Sequence, residues 1–347
     1  MSEPRLEIDL AAFRHNVATL AALAEPARTM LAVKANAYGH GILPLARAAL
    51  ESGADSLAVL DVPAGLTLRR AGITAQLFAW LHAPETDFER AIEADIDLGI
   101  SSGWELDAIV DAWRGKPARI HLKVDTGLHR NGARPEDWPA LVSAAVEAQN
   151  AGHVEIAGIW SHLADASPED DAEALARFTA AVDVAATLGC VPPLLHLAAS
   201  SAGIREPEAR FGLVRFGIAA YGISPFDDET AKDLGLRPVM TMRAPVIAVS
   251  ESTATIGVGS GDGIQSPAVG RASVAIRGKR HLLTELDIDS LVVEAKAGSV
   301  EVGDDATVFG PGDSGEATPE DWAIWAQTIG DEIVARAGER LPRIYLG

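Results

Sequence analysis

Positive charge is scarce in this chain of 347 residues: 29 lysines and arginines face 49 aspartates and glutamates, leaving a formal net charge of −20. A nucleic-acid partner needs a basic surface, and no basic stripe interrupts the acidic balance, so that class of function is excluded. Cysteine occurs once, as Cys190, which rules out an intramolecular disulfide; its apolar neighbours mark it as core and not nucleophile. No run of about 18 apolar residues is present, so no membrane-spanning helix and no membrane partner are expected. The opening MSEPRLEIDL lacks the apolar stretch of a secretory signal, and the expected setting is cytoplasmic. Internal repeats and low-complexity segments are missing too. The glycine-alternating stretch 257–263 is not spaced as a dinucleotide fingerprint, and Pro267 stands where the helix of such a motif would open.

What is present is ordinary for a globular protein, with 48% hydrophobic and 22% charged residues. The length suits one large domain and one smaller one. Residues 6–25 pass from short alternation into helical periodicity near Ala11. Eight strand-like runs follow, at 30–33, 56–60, 75–80, 96–101, 119–125, 155–162, 194–200 and 214–221, separated by helix-length segments such as 85–94 and 171–188. This rhythm predicts either a (β/α)8 TIM-like barrel or a doubly wound open sheet. Polar residues decide between them. Lys34, Lys123 with Asp125, Ser161 with His162, Ser200 and Arg215 all sit at or just past the ends of their strands, where a barrel builds its active site. The expected architecture is therefore α/β, with a barrel over 11–232. A smaller mainly-β domain is expected from 1–10 plus 233–347, with strands at 244–250, 272–276, 290–295 and 305–309. A helix over 319–336 with Thr318 as N-cap and a strand-like LPRIYLG close the chain.

The stretch 31–41, LAVKANAYGHG, carries the sharpest signal. Apolar residues through Val33 read as a buried strand, and the Asn/Gly cluster after it reads as a loop. That places the Lys34 amine at the mouth of a core, where desolvation disfavours its charge. A lysine with a lowered pKa is a nucleophile for aldehydes. A lysine snorkelling from a strand end fits the same position.

The whole string closely resembles the pyridoxal-phosphate lysine motif of the alanine racemases, and the resemblance extends over nearly the whole chain. It implies pyridoxal 5'-phosphate as cofactor, with Lys34 as the lysine that holds it and acts at the substrate's Cα. Tyr38, Ser200 and the backbone N–H groups of Gly217 and Ile218 match the phosphate site, although Ala199 stands where many members have asparagine. Arg215 matches the arginine set against the pyridine nitrogen, and His162 the histidine that orients it. In the second strong match, 123–132, Arg130 corresponds to the arginine that meets the substrate carboxylate, for which a guanidinium is a natural fork. Lys123 corresponds to a lysine carbamylated in some members. The resemblance further implies a homodimer with shared sites, a small amino acid, alanine, as substrate, and a role in D-alanine supply.

The match breaks in the C-terminal part. The family's second base is a tyrosine in a Gly-Tyr-x-Asp-Gly string; here the string reads Gly259-Ser260-Gly261-Asp262-Gly263. An aliphatic hydroxyl is several units less acidic than a phenol at about 10, and general acid–base catalysis contributes about 10²–10⁴-fold, so a weakened racemase is one expectation. Glu339 replaces another family tyrosine near the phosphate. Asp289 matches the aspartate beside the second base, and the Ile288 backbone is placed toward the substrate carboxylate. Two other readings stay open: a pyridoxal-phosphate enzyme for another amino acid (single-base racemase, decarboxylase or transaminase), and a non-catalytic carrier of the cofactor.

Overall fold

A computed structural model describes residues 3–347. Eight parallel strands form the first sheet: β2 (Arg28–Ala32), β3 (Ser56–Val59), β4 (Gln76–Ala79), β5 (Ile96–Ile100), β6 (Ala118–Lys123), β7 (Val154–Trp160), β8 (Leu194–His196) and β9 (Leu213–Phe216), all introduced after a first strand, β1 (Arg5–Asp9). Neighbours in sequence are neighbours in the sheet, and β9 pairs back onto β2. The remaining gap is closed by Gly212 N–H donating to Leu195 O and Arg215 N–H donating to Ala198 O, each at 3.1 Å. The sheet is thus a closed barrel, and the open-sheet alternative falls. Strand runs rich in Leu, Ile, Val and Ala are what a sheet buried on both faces requires. Met30, Ala58, Phe78, Trp160 and Leu213 fill the interior, with Phe78 meeting Trp160 edge-on at 5.2 Å between ring centroids.

The second sheet is mostly antiparallel: β10 (Met240–Val249), β11 (Thr253–Ile256), β12 (Ser273–Ile276), β13 (Lys279–Leu286), β14 (Leu291–Glu294), β15 (Asp305–Phe309) and β16 (Arg343–Leu346). Strands β10-β15-β12-β13-β14-β11 form a ring because β11 pairs again with β10 beyond an irregularity between Val246 and Ala248. The N-terminal β1 joins this sheet, antiparallel to β10 and parallel to β16. Strands β11 and β13 are short or strongly mixed in polarity and escape the sequence pattern. The single helix expected over 319–336 is two, Pro319–Ala326 and Gly330–Ala335, because Gln327 turns left-handed at φ 59° and ends the first. Thr318 does cap it, its Oγ1 accepting from Asp321 N–H at 3.2 Å.

Compact units interleave along the chain: 20–34 with 53–217, and 1–19 with 35–52 and 218–347. The sequence pattern reads 35–52 as part of one continuous stretch. Its backbone is instead held by the chain's end, with Arg343 Nε donating to Gly39 O at 2.8 Å and Tyr345 Oη to His40 O at 3.2 Å.

Gly222, at φ 74°, shows how closely backbones approach in this second unit. A Cβ there would lie 1.7 Å from Arg237 O. The obstacle is backbone and cannot rotate away, so Gly222→Ala combines an unfavourable φ with a clash. Urea unfolding of that variant is expected to show a loss of about 2 kcal/mol or more.

Candidate active site

The barrel carries its polar side chains at one end. Lys34 follows β2, Lys123 ends β6, Arg130 lies in the loop after it, His162 follows β7, Ser200 opens the helix Ser200–Arg205 after β8, and Arg215 lies near the end of β9. Each position is a strand's C-terminal end or the turn beyond it. The sequence places them there, and the structure brings them together: Arg215, Arg130, Lys123 and Lys34 all act electrostatically on His162. Burial first, and then these four cations, depress His162 far below the usual imidazole value, so the ring is neutral.

Arg215 is buried, and burial lowers its pKa to about 9, which leaves it charged at neutral pH. Its guanidinium is surrounded by acceptors. Nη2 donates to Ser161 O at 2.8 Å and Leu197 O at 2.9 Å, and Nη1 meets His196 Nδ1 at 3.0 Å. His162 Nδ1 lies farther, 3.4 Å from Nη2. The histidine that holds this arginine most closely is therefore His196, which the sequence reading did not single out; its place two residues before Ala198 in the strand run was the available signal. Trp160 lies parallel to the His196 ring at 5.7 Å, and both Lys123 Nζ (4.6 Å) and the Arg215 guanidinium (5.2 Å) stand over its indole.

Lys123 is pulled down to about 8, by burial and then by the charges of Arg215 and Arg130. Its amine is thus partly uncharged near neutrality, and it donates to Arg130 O at 3.1 Å, bracing the loop that carries Arg130. The carboxylates of this end are already engaged. Asp125 Oδ1 accepts from Gly127 and His129 N–H, and its Oδ2 pairs with the His129 ring at 2.9 Å. Glu105 accepts from the Ser101 and Ser102 N–H groups. Asp125 and His129 accordingly shape the loop. Four like charges converging in a partly desolvated mouth are costly unless an anion is to be bound there. A phosphate and a carboxylate are the anions that such a donor set fits. Ser200 adds a hydroxyl, whose Oγ accepts from Gly217 N–H at 3.0 Å. That hydrogen bond already occupies one backbone donor assigned to the phosphate.

Beyond Lys34 the chain does something that no loop signal announces. Ala35, Asn36, Ala37 and Tyr38 all take φ between 48° and 54°, one turn of left-handed helix without glycine. Such a turn costs roughly 1–2 kcal/mol per residue and persists only where the surroundings over-determine it. Here Gly39 N–H donates to Ala35 O and Gly41 N–H to Asn36 O, both at 2.9 Å. Asn36 Oδ1 accepts from Ile42 N–H at 2.8 Å, opening the helix Ile42–Glu51. Tyr38 packs on Tyr221 with ring centroids 4.8 Å apart, and burial pushes its phenol well above the usual tyrosine value. Ile218 starts the 3-10 turn Ile218–Tyr221 that delivers that partner ring.

In the second sheet's unit, Ser260 is exposed, in a short turn 260–262 whose N–H groups are taken by Asp287 O (2.8 Å, from Ser260) and Ile288 O (2.7 Å, from Gly261). Ser260, Ile288 and Asp289 therefore share one surface, and Ile288 is 72% exposed. Asp262 is buried, accepts from Gly259 N–H at 2.9 Å and pairs with Arg340. It anchors the turn and is not available as a base. A shallow depression of about 620 Å³ opens beside Ser260, with Gln265, Ser266 and Arg336 on its wall. Glu339 is exposed. Among the described residues no cluster of three or more His, Cys, Asp or Glu side chains is placed to hold a metal ion, and no helix is long and apolar enough to cross a membrane.

A closed parallel barrel with a lysine after its first strand and a buried arginine at its last defines a barrel enzyme built to hold anionic ligands at its C-terminal face. The chain belongs to the alanine racemase family: residues 8–225 match the alanine racemase N-terminal domain and residues 241–345 the C-terminal domain. It is 41% identical to the alanine racemase of Thermobifida fusca over 98% of this chain and 97% of that one. The crystal structure of alanine racemase from D-cycloserine producing Streptomyces lavendulae superposes with a TM-score of 0.95 at 40% identity, covering 100% of this chain and 98% of that one. The alanine racemase structure from Streptomyces coelicolor A3(2) gives 0.95 at 38% identity, over 99% and 98%. The enzyme is a racemase, an isomerase.

His40 clamps the left-handed turn and gives it a pH signature. Its Nδ1–H donates to Ala37 O at 3.0 Å and Tyr38 O at 2.9 Å, while Nε2 is buried without a partner. Burial lowers its pKa to about 4. Between about 6.5 and 4 the unfolded chain binds a proton here that the folded chain does not, so stability falls as pH drops through that window. His40→Phe is expected to flatten the acid limb of stability against pH by about one proton. Urea midpoints measured from pH 7 to 4 check this, and an unchanged slope contradicts it.

Proposed function

We propose that the enzyme interconverts L- and D-alanine with pyridoxal 5'-phosphate, as a homodimer with shared sites. The observation that carries the reading is the convergence of Lys34, Lys123, Arg130 and Arg215 about a neutral His162, with the neighbouring carboxylates engaged elsewhere. The relatives' names agree with it. Lys34 would hold the cofactor. Tyr38, Ser200 and the Ile218 backbone would take its phosphate, Gly217 N–H joining them only by sharing or giving up its bond to Ser200 Oγ, and Arg215 would face the pyridine nitrogen. When bound, the cofactor supplies the electron withdrawal that makes the substrate's Cα–H acidic.

The chain's own residues then divide the work. Arg130 takes the substrate carboxylate through its guanidinium, positioned by the Lys123 bond to its carbonyl. Arg215 stays charged and, as an effectively permanent donor, disfavours a proton on a ring nitrogen beside it. Lys34 Nζ removes or returns the Cα proton on one face. On the other face the family tyrosine is replaced by Ser260, with Asp289 and Ile288 beside it. Asp262 is committed to Arg340 and cannot substitute. The Ser260 hydroxyl is a poor base, so racemisation is slow relative to a tyrosine-bearing site. A second reading, racemisation of a bulkier amino acid, is favoured by the depression beside Ser260.

The deciding assay is chiral analysis of product from L-alanine and from a panel of larger amino acids, with the absorbance band of the loaded protein followed in parallel. D-Alanine is expected from the wild type. Lys34→Ala should abolish both the band and the product, and D-alanine at an undiminished rate in that variant would sink the proposal. Ser260→Tyr is expected to raise kcat by about 10–100-fold. A larger amino acid outpacing alanine selects the second reading.

A further inference from the structure

Beneath Arg215 a line of polar side chains crosses the apolar interior of the barrel, and nothing in the reaction outlined above uses it. His196 Nε2 lies 2.9 Å from His121 Nδ1, and His121 Nε2 lies 3.1 Å from Asp97 Oδ2. Both rings are fully buried, and Asp97 nearly so. Gln76 Nε2 donates to the same Asp97 oxygen at 2.6 Å, and Arg119 Nε to the other at 3.2 Å. Burial alone raises the Asp97 carboxyl, but the His121 and Gln76 hydrogen bonds and the Arg119 charge outweigh it and keep it ionised. The line runs from Asp97, early in β5, through His121 in β6 and His196 ending β8, to Arg215 in β9.

Donor and acceptor roles along this line are forced. A guanidinium has only N–H donors, so His196 Nδ1 must accept, and the His196 proton sits on Nε2. That proton points at His121 Nδ1, which must accept in turn, leaving the His121 proton on Nε2 and aimed at the Asp97 carboxylate. Every bond therefore points the same way, from Arg215 to Asp97, and both imidazoles are neutral. Burial, with the Arg215 charge, holds His196 protonation far below its usual range. The fold reserves the space. The β6–β7 register shifts between Ile120 and His121, setting Gly158 opposite His121, and a Cβ on Gly158 would lie 2.4 Å from His121 Nδ1. Phe78 and Trp160 wall the His196 ring on the remaining sides.

We propose that Asp97, His121 and His196 are positioning residues for Arg215: the Asp97 carboxylate fixes the tautomer of two imidazoles in series and so presents an acceptor that holds the guanidinium in one orientation. Without the carboxylate the series is held only from the Arg215 end, and a His196 proton on Nδ1 is opposed by the guanidinium alone, which has two backbone carbonyls to fall back on. A proton on His196 Nδ1 would set two donors face to face and release Arg215 from that side. The positioning role rests on the racemase reading; the tautomer assignment does not.

The test uses the cofactor-loaded enzyme with nitrogen-15 in its histidines. Long-range nitrogen–proton correlation reads each ring's tautomer, and the signals of His121 and His196 are assigned by their loss in His121→Phe and His196→Phe. In the wild type both rings are expected as Nε2–H tautomers. His121→Phe keeps the ring packing on Phe78 and removes both hydrogen bonds. In it, His196 is expected to show an Nδ1–H or mixed tautomer. Racemisation kcat should fall by about 10–100-fold while KM stays within about twofold, the pattern of a misplaced group that does not touch the amino acid. Should that variant fail to fold around the stranded carboxylate, Asp97→Leu with His121→Phe removes the buried charge too, and the same readouts apply. An Nδ1–H tautomer at either ring of the wild type overturns the proposal. So does a variant in which the His196 tautomer is unmoved, or in which kcat is retained. A wild type that shows the expected tautomers but no racemisation fails the function and not the relay.

Discussion

A guanidinium buried at the mouth of a parallel barrel is the constraint on which the rest of this unit depends. Arg215 sits among apolar strands, and an ionised group there persists only when each of its N–H donors finds an acceptor. Two backbone carbonyls, Ser161 O and Leu197 O, come from the ends of two neighbouring strands, so barrel closure and arginine solvation are the same event. Arg215 N–H itself donates to Ala198 O across the seam. The seam between β8 and β9 has few ladder bonds, and the guanidinium stitches what the backbone leaves open. The indole of Trp160 then covers the cation and, through its other neighbours, ties Lys123 to the same surface.

Charge at this mouth is organised by what has been removed from it. Asp125 is turned onto His129 and the backbone of its own loop, and Glu105 onto the N-terminus of its helix, Gly103–Asp111. Each acid solves a local problem of turn or cap with its hydrogen bonds, and acts on the nearby Lys123 only through its charge. Burial first, and then the neighbouring cations, depress Lys123 and His162, and the charges of Asp125 and Glu105 only partly offset this at Lys123.

The barrel was legible in the sequence because its strands are continuous apolar runs at a regular spacing, and the polar residues that break those runs fall at their ends. Lys34, Lys123, Ser200 and Arg215 are such breaks, and the structure finds all four at the C-terminal face. Asp97, His121 and His196 break the runs in the same manner, yet their partnership was hidden. Which interior side chains meet depends on register, and here a shift at Ile120/His121 sets it. The left-handed turn at 35–38 was hidden for another reason. Alanine and tyrosine have no intrinsic preference for positive φ, so the conformation is imposed by bonds around it: His40 Nδ1 to the Ala37 and Tyr38 carbonyls, and Arg343 and Tyr345 to the Gly39 and His40 carbonyls just beyond the turn. Strand β11 alternates, but over only four residues, and β13 opens on three polar residues and shows no period-two alternation.

Ser260 illustrates where residue identity and scaffold part company. The turn that carries it is fully formed: Asp262 is buried against Gly259 N–H and Arg340, and both Ser260 and Gly261 N–H groups are satisfied by the 287–288 backbone. A degenerating loop loses such anchors first, because a buried carboxylate without its partner is costly. Here every anchor is in place around Ser260. The side chain at 260 points into solvent, where substitution is cheap in stability. The loop therefore has the geometry to present a residue at 260 whatever its side chain, because none of its anchors passes through that side chain.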